Sequence, residues 1–377
     1  MSFLLSSLSH IHHPVAEAYI LNLKENRWEK VKYRNDAPQQ RLLGQCAMIG
    51  NKMWLVGGWD SSAEGTSPMG VILDDCWTLD VQTWTWEKQT IKGEAIPDIS
   101  RFQMKAIGSK LWIHHHRCKS HILVLDTKTL TATNYPVTGD VPSSRGLHAM
   151  ANHGDHLYIF GGQGGDDFFK ELFSLDTTTL KWSLIGPDQF AGKPPGPRCA
   201  VASAVMADSI LFYGGASKPL GMATLKDCML GDLVIFDLVT LTWTWPVQYV
   251  SEGTSRPAPR NAHAICSIGE EVILVGGWKA FDKTYNDVWR LAPKKRKEDI
   301  DWGEDDYVLM VWLLGSIVSI LLLLIPGVPE GFWMIPAPFI PLTLYKGIPK
   351  LLYPTTSKGV ADDVDQGAEE MESKKTK

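Results

Sequence analysis

An arginine followed 16 residues later by a glycine pair recurs four times in this 377-residue chain. Arg41 precedes Gly57-Gly58, Arg145 precedes Gly161-Gly162, Arg198 precedes Gly214-Gly215, and Arg260 precedes Gly276-Gly277. A fifth copy opens at Arg101, two residues shorter, with His115-His116 where the glycines belong. Self-similarity at a period of roughly 45–60 residues commits a chain to stacked copies of one small unit. No such unit can bury its own apolar face alone.

Each unit has a second half. After the glycines an apolar run ends in an acid, at Asp80, Asp126, Asp176 and Asp237. Six residues further stands Trp86, Trp182 or Trp243, and Asn22 reaches Trp28 at the same distance. Apolar runs of this length between polar turn clusters predict four short strands per unit. The large indoles are expected to fill the packed core. Alternation along a strand would place Trp84 beside Trp86, and Trp243 beside Trp245, on one face.

Together these features resemble the kelch family of β-propellers. The likeness rests on the Arg starts (Ser144-Arg145-Gly146-Leu147-His148-Ala149 and Pro259-Arg260-Asn261-Ala262-His263-Ala264), the Gly-Gly strand ends and the Asp-to-Trp spacing, over residues 15–292. It implies an all-β fold, a kelch-type β-propeller of four-stranded antiparallel blades. Six blades are favoured, one incomplete and partly built by the N-terminus; five closed by the Trp28 strand is the alternative. On this reading Gly57, Gly58, Gly161, Gly162, Gly214, Gly215, Gly276, Gly277, Trp28, Trp86, Trp182 and Trp243 are scaffold.

The arginines Arg41, Arg101, Arg145, Arg198 and Arg260 open strands at one end of the blades. A planar guanidinium suits carboxylates. With the loops at 59–72 and 216–231 they are expected to meet a partner, an unidentified protein or acidic peptide. The alternative is that they hydrogen-bond loop carbonyls between blades.

Net charge is −5, so no basic footprint points to nucleic acid. The six cysteines show no Cys-x-x-Cys spacing, and the chain start has no basic signal-type segment. Reduced thiols facing the cytosol are expected, with no adaptor domain ahead of the propeller. His10, His12 and His13, and then His114, His115, His116 and His121, raise a metal reading. Consecutive strand residues point to opposite faces, so three adjacent histidines cannot share one ion, and no metal is expected. The iron-dependent plant specifier proteins of the kelch family carry Glu-x3-Asp-x3-His; here Glu94 and Asp98 are followed by Phe102. Nor can the ligands of the copper-radical oxidases on the related propeller be assigned. The expectation is a non-enzymatic interaction scaffold with no catalytic residues and no cofactor. The alternative is a divergent enzyme on a galactose-oxidase-like propeller.

The N-terminal extension covers 1–16 and the propeller 17–292. A charged linker, 293–307, follows. Residues 308–325 carry no charge and would reach about 27 Å as a helix, enough for a thin bilayer. A single-pass transmembrane helix is expected there, meeting membrane lipid, with endoplasmic reticulum or another endomembrane favoured. Segment 326–353 is apolar but broken by prolines, and is expected to lie near or re-enter the membrane. The polar tail, 354–377, is expected to be disordered. Lys294, Lys295, Arg296 and Lys297 flank the span and predict a cytosolic propeller.

Overall fold

A computed structural model of the chain describes residues 2–6, 17–60, 70–218, 225–246, 256–279 and 283–292. The linker, the expected span, the proline-broken segment and the polar tail lie outside the described residues. So do parts of the loops at 59–72 and 216–231.

Short strands between turns are dictated by the acid of each unit. The Asp80 carboxylate accepts the amides of Gln82 and Thr83, both at 2.9 Å. Asp126, Asp176 and Asp237 do the same two and three residues on, as does the Asn22 side-chain oxygen. Such an Asx turn reverses the chain without a glycine. The residue four past the acid then takes a left-handed φ, at Trp84, Leu130, Leu180 and Leu241. Trp84 therefore sits in the turn, and its strand begins at Thr85. Trp245 lies beyond the strand Thr242–Thr244, 42% exposed. Neither pair shares a strand face as expected, because the turn and the strand end intervene.

Five sheets follow one another along the chain. Blade 1 is Gln45–Ile49, Lys52–Asp60, Val71–Asp80 and Thr85–Lys88. Blade 2 is Gln103–Ile107, Lys110–His114, His121–Asp126 and Thr131–Pro136. Blade 3 is Ala149–His153, His156–Phe160, Leu172–Asp176 and Lys181–Ile185. Blade 4 is Ala202–Met206, Ser209–Tyr213, Leu233–Asp237 and Thr242–Thr244. Blade 5 has three strands, Ala264–Ile268, Glu271–Val275 and Val288–Leu291; Asp299–Trp302, a candidate fourth, lies outside the described residues. Within each blade the strands pair in sequence order and antiparallel. Blades 2 and 3 gain a short parallel strand on the outer edge, Lys92–Gly93 and Thr138–Gly139. The N-terminus contributes a separate three-stranded sheet, Ser2–Ser6, Ala18–Asn22 and Arg27–Lys30.

First strands of successive blades pack on one another, from blade 1 round to blade 5. The core is correspondingly divided into slabs between neighbouring sheets. Trp112 of blade 2 packs with Leu157, Ile159 and Trp182 of blade 3. Phe160 of blade 3 packs with Phe212, Phe236 and Trp243 of blade 4. Trp86, Trp182 and Trp243 are all buried, while Trp28 is half-buried. The protein is an all-β propeller, with five blades in place among the described residues.

Candidate functional site: the loop end of the blades

The glycine pairs stand where one blade touches the next. Every one of the eight glycines has a left-handed φ, between 56° and 114°. A Cβ on Gly161 would meet the Arg198 carbonyl of the next blade at 2.6 Å, and one on Gly214 the Arg260 carbonyl at 2.5 Å. In three of the pairs the second glycine donates its amide to a carbonyl that leads into the next blade, Gly58 to Ile99, Gly162 to Arg198 and Gly215 to Arg260, all at 2.9 Å. The glycines thus serve both the turn and the seam.

The arginines lie behind them, inside the protein. Arg41, Arg145, Arg198 and Arg260 are at most 5% exposed. Each Nη1 donates to the carbonyl of the first glycine of its own blade: Gly57 at 3.0 Å, Gly161 at 3.1 Å, Gly214 at 3.2 Å and Gly276 at 2.8 Å. Each Nε donates to the carbonyl two residues upstream. The Nη2 atoms of three reach an acid, within the third strand at Asp75, 3.0 Å away, and just ahead of it at Asp232, 3.0 Å, and Asp287, 2.8 Å. Arg145 is 3.6 Å from Glu171 and stacks on Phe169 at 4.2 Å. Burial raises the Asp75 and Asp287 pKa values, but hydrogen bonds from the arginine and from Trp77 or Trp289 leave both below the ordinary carboxylate value. These four guanidiniums hold their own strand ends together. They do not line the surface.

Arg101 is different, and its register explains why. Gly58 donates its amide to Ile99, as Gly162 donates to Arg198. Ile99, fully buried, therefore occupies the arginine position of blade 2. His115 then falls at the usual 16-residue interval, and the copy is not shortened. Arg101 sits two residues on, with φ 58°, matching Leu43, Leu147, Ala200 and Ala262. Its carbonyl accepts the Leu147 amide at 2.8 Å, and Leu147 in turn accepts from Ala200 at 2.7 Å. The Arg101 side chain is exposed.

The histidines separate as alternation requires. His114 turns to blade 3, its Nδ1 3.2 Å from Nε2 of His148, both rings buried. His116 is exposed. His115 is buried and shares the turn with Cys118 and His121. Burial, then the neighbouring cations, lower the His115 pKa to about 4 and the His148 pKa to about 3. All six cysteines are free thiols. Among the described residues no helix is long and apolar enough to cross a membrane.

The 16-residue interval to the second strand's end is constant, but the connections from second to third strand are not. They span 115–120 in blade 2, 161–171 in blade 3, 214–232 in blade 4 and 276–287 in blade 5. All leave the same end of the sheets, where the glycine pairs lie.

The KLHDC2/KLHL20/DRC7 Kelch-repeats domain model matches residues 10–120 and 112–299. Acyl-CoA-binding domain-containing protein 4 of Arabidopsis thaliana is 30% identical over 269 residues, 67% of this chain and 37% of that protein. Kelch domain-containing protein 2 of Bos taurus is 25% identical over 295 residues, 70% of this chain and 68% of that protein. Kelch domain-containing protein 3 of Homo sapiens is 24% identical over 214 residues, 53% of this chain and 54% of that protein. The chain thus spans well under half the length of the plant relative.

Proposed function

Because this chain belongs to the kelch-repeat family, we propose that it is a protein-interaction scaffold which holds its loop end toward a partner and is tethered to a membrane. The observation that carries the reading is the contrast at that end. A buried arginine, a glycine carbonyl and an acid repeat almost unchanged in four blades, while the connection beside them varies freely in length. A rigid frame with variable loops is how a propeller acquires specificity, since loop changes leave the frame standing. The partner surface consists of the loops at 59–72 and 216–231 with the exposed Arg101. An acidic peptide suits that side chain, since the other four guanidiniums are committed inside the blades.

We count the N-terminal sheet as a sixth, incomplete blade. In support, its Leu21 and Trp28 pack with Ile273, Val275 and Val288 of blade 5. Just past its last strand, Tyr33 meets Trp86 of blade 1 at 5.8 Å between ring centroids. The tether is 308–325, inserted with the propeller in the cytosol, in endoplasmic reticulum or another endomembrane. Its support is the uncharged run itself and the basic residues just before it.

Two arms test this. Replacing residues 219–226 of the 216–231 loop by a short Gly-Ser linker, which spares the buried Ala216, Cys228 and Met229, together with Arg101→Glu, should remove specific interactors from cross-linked membranes while the melting temperature stays put. An unchanged interactor set would refute the docking surface. Residues 1–303 alone should leave the membrane fraction, and carbonate-resistant pelleting of that form would refute the tether.

A further inference from the structure

Blade 2 has lost every part of the clamp that the other blades share. Ile99 replaces the arginine, and His115 and His116 replace the glycine pair. The acid is gone too. In blades 1, 3 and 4 it stands five residues before the turn aspartate, at Asp75, Glu171 and Asp232. In blade 2 that position, five before Asp126, is His121. The loop between the two histidines is the short connection 115–120. Its turn is closed by the Cys118 amide, which donates to the His115 carbonyl at 2.9 Å. This brings Cys118 between them in a His115-x2-Cys118-x2-His121 spacing, with the three donor atoms all within 4.8 Å of one another.

We propose that His115, Cys118 and His121 bind a zinc ion, which clamps blade 2 where an arginine–acid pair clamps the others. The donor set fits the metal: imidazole and thiolate are the ligands zinc takes in tetrahedral sites. Bond lengths of about 2.0–2.3 Å place tetrahedral donors about 3.3–3.6 Å apart, so the turn closes by about an ångström on loading. His115 and Cys118 are buried at 3% and 2%, and His121 is half-buried, which leaves the fourth position open to water on the outer side. Before loading, the Arg117 amide donates to His115 Nδ1 at 3.2 Å. That bond is given up either way, since Nδ1 either takes the ion or carries the ring proton while Nε2 does. The Arg117 guanidinium opposes a cation here, and its pairing with Asp98 at 3.0 Å offsets part of that charge.

The proton balance is simple. Loading forms the Zn–S and Zn–N bonds and sends the one thiol proton to water.

The test uses the full chain, purified and stripped with chelator, then titrated with Zn²⁺ and separately with Co²⁺. One ion per chain and a thiolate-to-cobalt charge-transfer band are expected, both lost in Cys118→Ser. His121→Asn lies at a half-exposed position where folding is not at risk. It should weaken binding by more than the ~10–100-fold typical of an outer-shell partner. Changing His10, His12 and His13 together to Asn should alter nothing. Cobalt without the thiolate band, binding unchanged in His121→Asn, or binding abolished by the N-terminal triple change would each overturn the assignment.

Discussion

Arg260 has no exposed side-chain surface, and Asp287 opposite it keeps only 29%. Removing one partner strands the other charge, which for buried pairs costs about 3–5 kcal/mol. Arg260→Met should therefore lower the urea midpoint sharply. Arg260→Met with Asp287→Leu should recover part of the loss, because no charge is then left unpaired, although the Ala258 and Gly276 carbonyls and the Trp289 indole still lose their partners. If the double variant is no better than the single one, the pair is not what the arginine serves. His263, three residues on, lies against the Tyr213 ring at 5.5 Å. Burial, then the nearby Arg260 charge, lower its pKa to about 3. The unfolded chain binds a proton near pH 6.5 that the folded one refuses, so stability is full above 6.5 and is lost as pH falls toward 3. At pH 5 one such histidine costs about 2 kcal/mol. His263→Leu should flatten the fall in the unfolding midpoint between pH 7 and 5, and an unchanged slope would count against the buried neutral ring. Neither consequence was legible in the spacing of the arginines, which is the same for a surface ring and an internal clamp. Only burial separates them.

A seam between blades depends on two different properties of glycine, and two positions separate them. Gly154 and Gly214 have similar φ, 55° and 64°. A Cβ at Gly154 meets nothing within 4 Å, whereas at Gly214 it meets the Arg260 carbonyl at 2.5 Å. Gly154→Ala should cost only the left-handed backbone penalty, about 1–2 kcal/mol. Gly214→Ala should cost that and the displaced seam as well, and equal losses in thermal unfolding would show that the close approach relaxes freely. Strand-level reading of the sequence succeeds where the repeat is intact, because the Arg–Gly and Asp–Trp intervals mark both ends of the strands. It fails in blade 2. There the Arg101 side chain drew the alignment two residues off, although Ile99 keeps the 16-residue interval to His115. It also fails for Trp84, since the left-handed turn residue after an Asx turn is not signalled by residue type. The rejection of three adjacent histidines holds for His114, which faces His148. It did not anticipate that a turn could bring His115 to Cys118 and His121 instead.

At the scale of the whole molecule, a ring must be closed by contacts between its two ends. Blade 5 has three strands among the described residues, so the outer part of its core has no cover of its own. The N-terminal sheet supplies it: Leu21, 2% exposed, joins Ile273, Val275 and Val288 in one cluster. Arg290 Nη2 donates to the Leu23 carbonyl at 2.6 Å across 267 residues of sequence. Contacts of that separation give no early reward for the entropy of closing the chain, so this seam is expected to be the last to form and the first to open. Leu21→Ala removes apolar volume from it and should cost about 2–5 kcal/mol. Location is the stronger test than magnitude. If the seam holds the ring shut, hydrogen exchange should speed up in Glu271–Val275 and Val288–Leu291 while Lys110–His114 and His156–Phe160, two and three sheets away, keep their protection. A variant that loses stability evenly across all these strands would mean that the ring unfolds as one unit with no preferred gate. One that leaves blade 5 protected would mean that something other than the N-terminal sheet closes it.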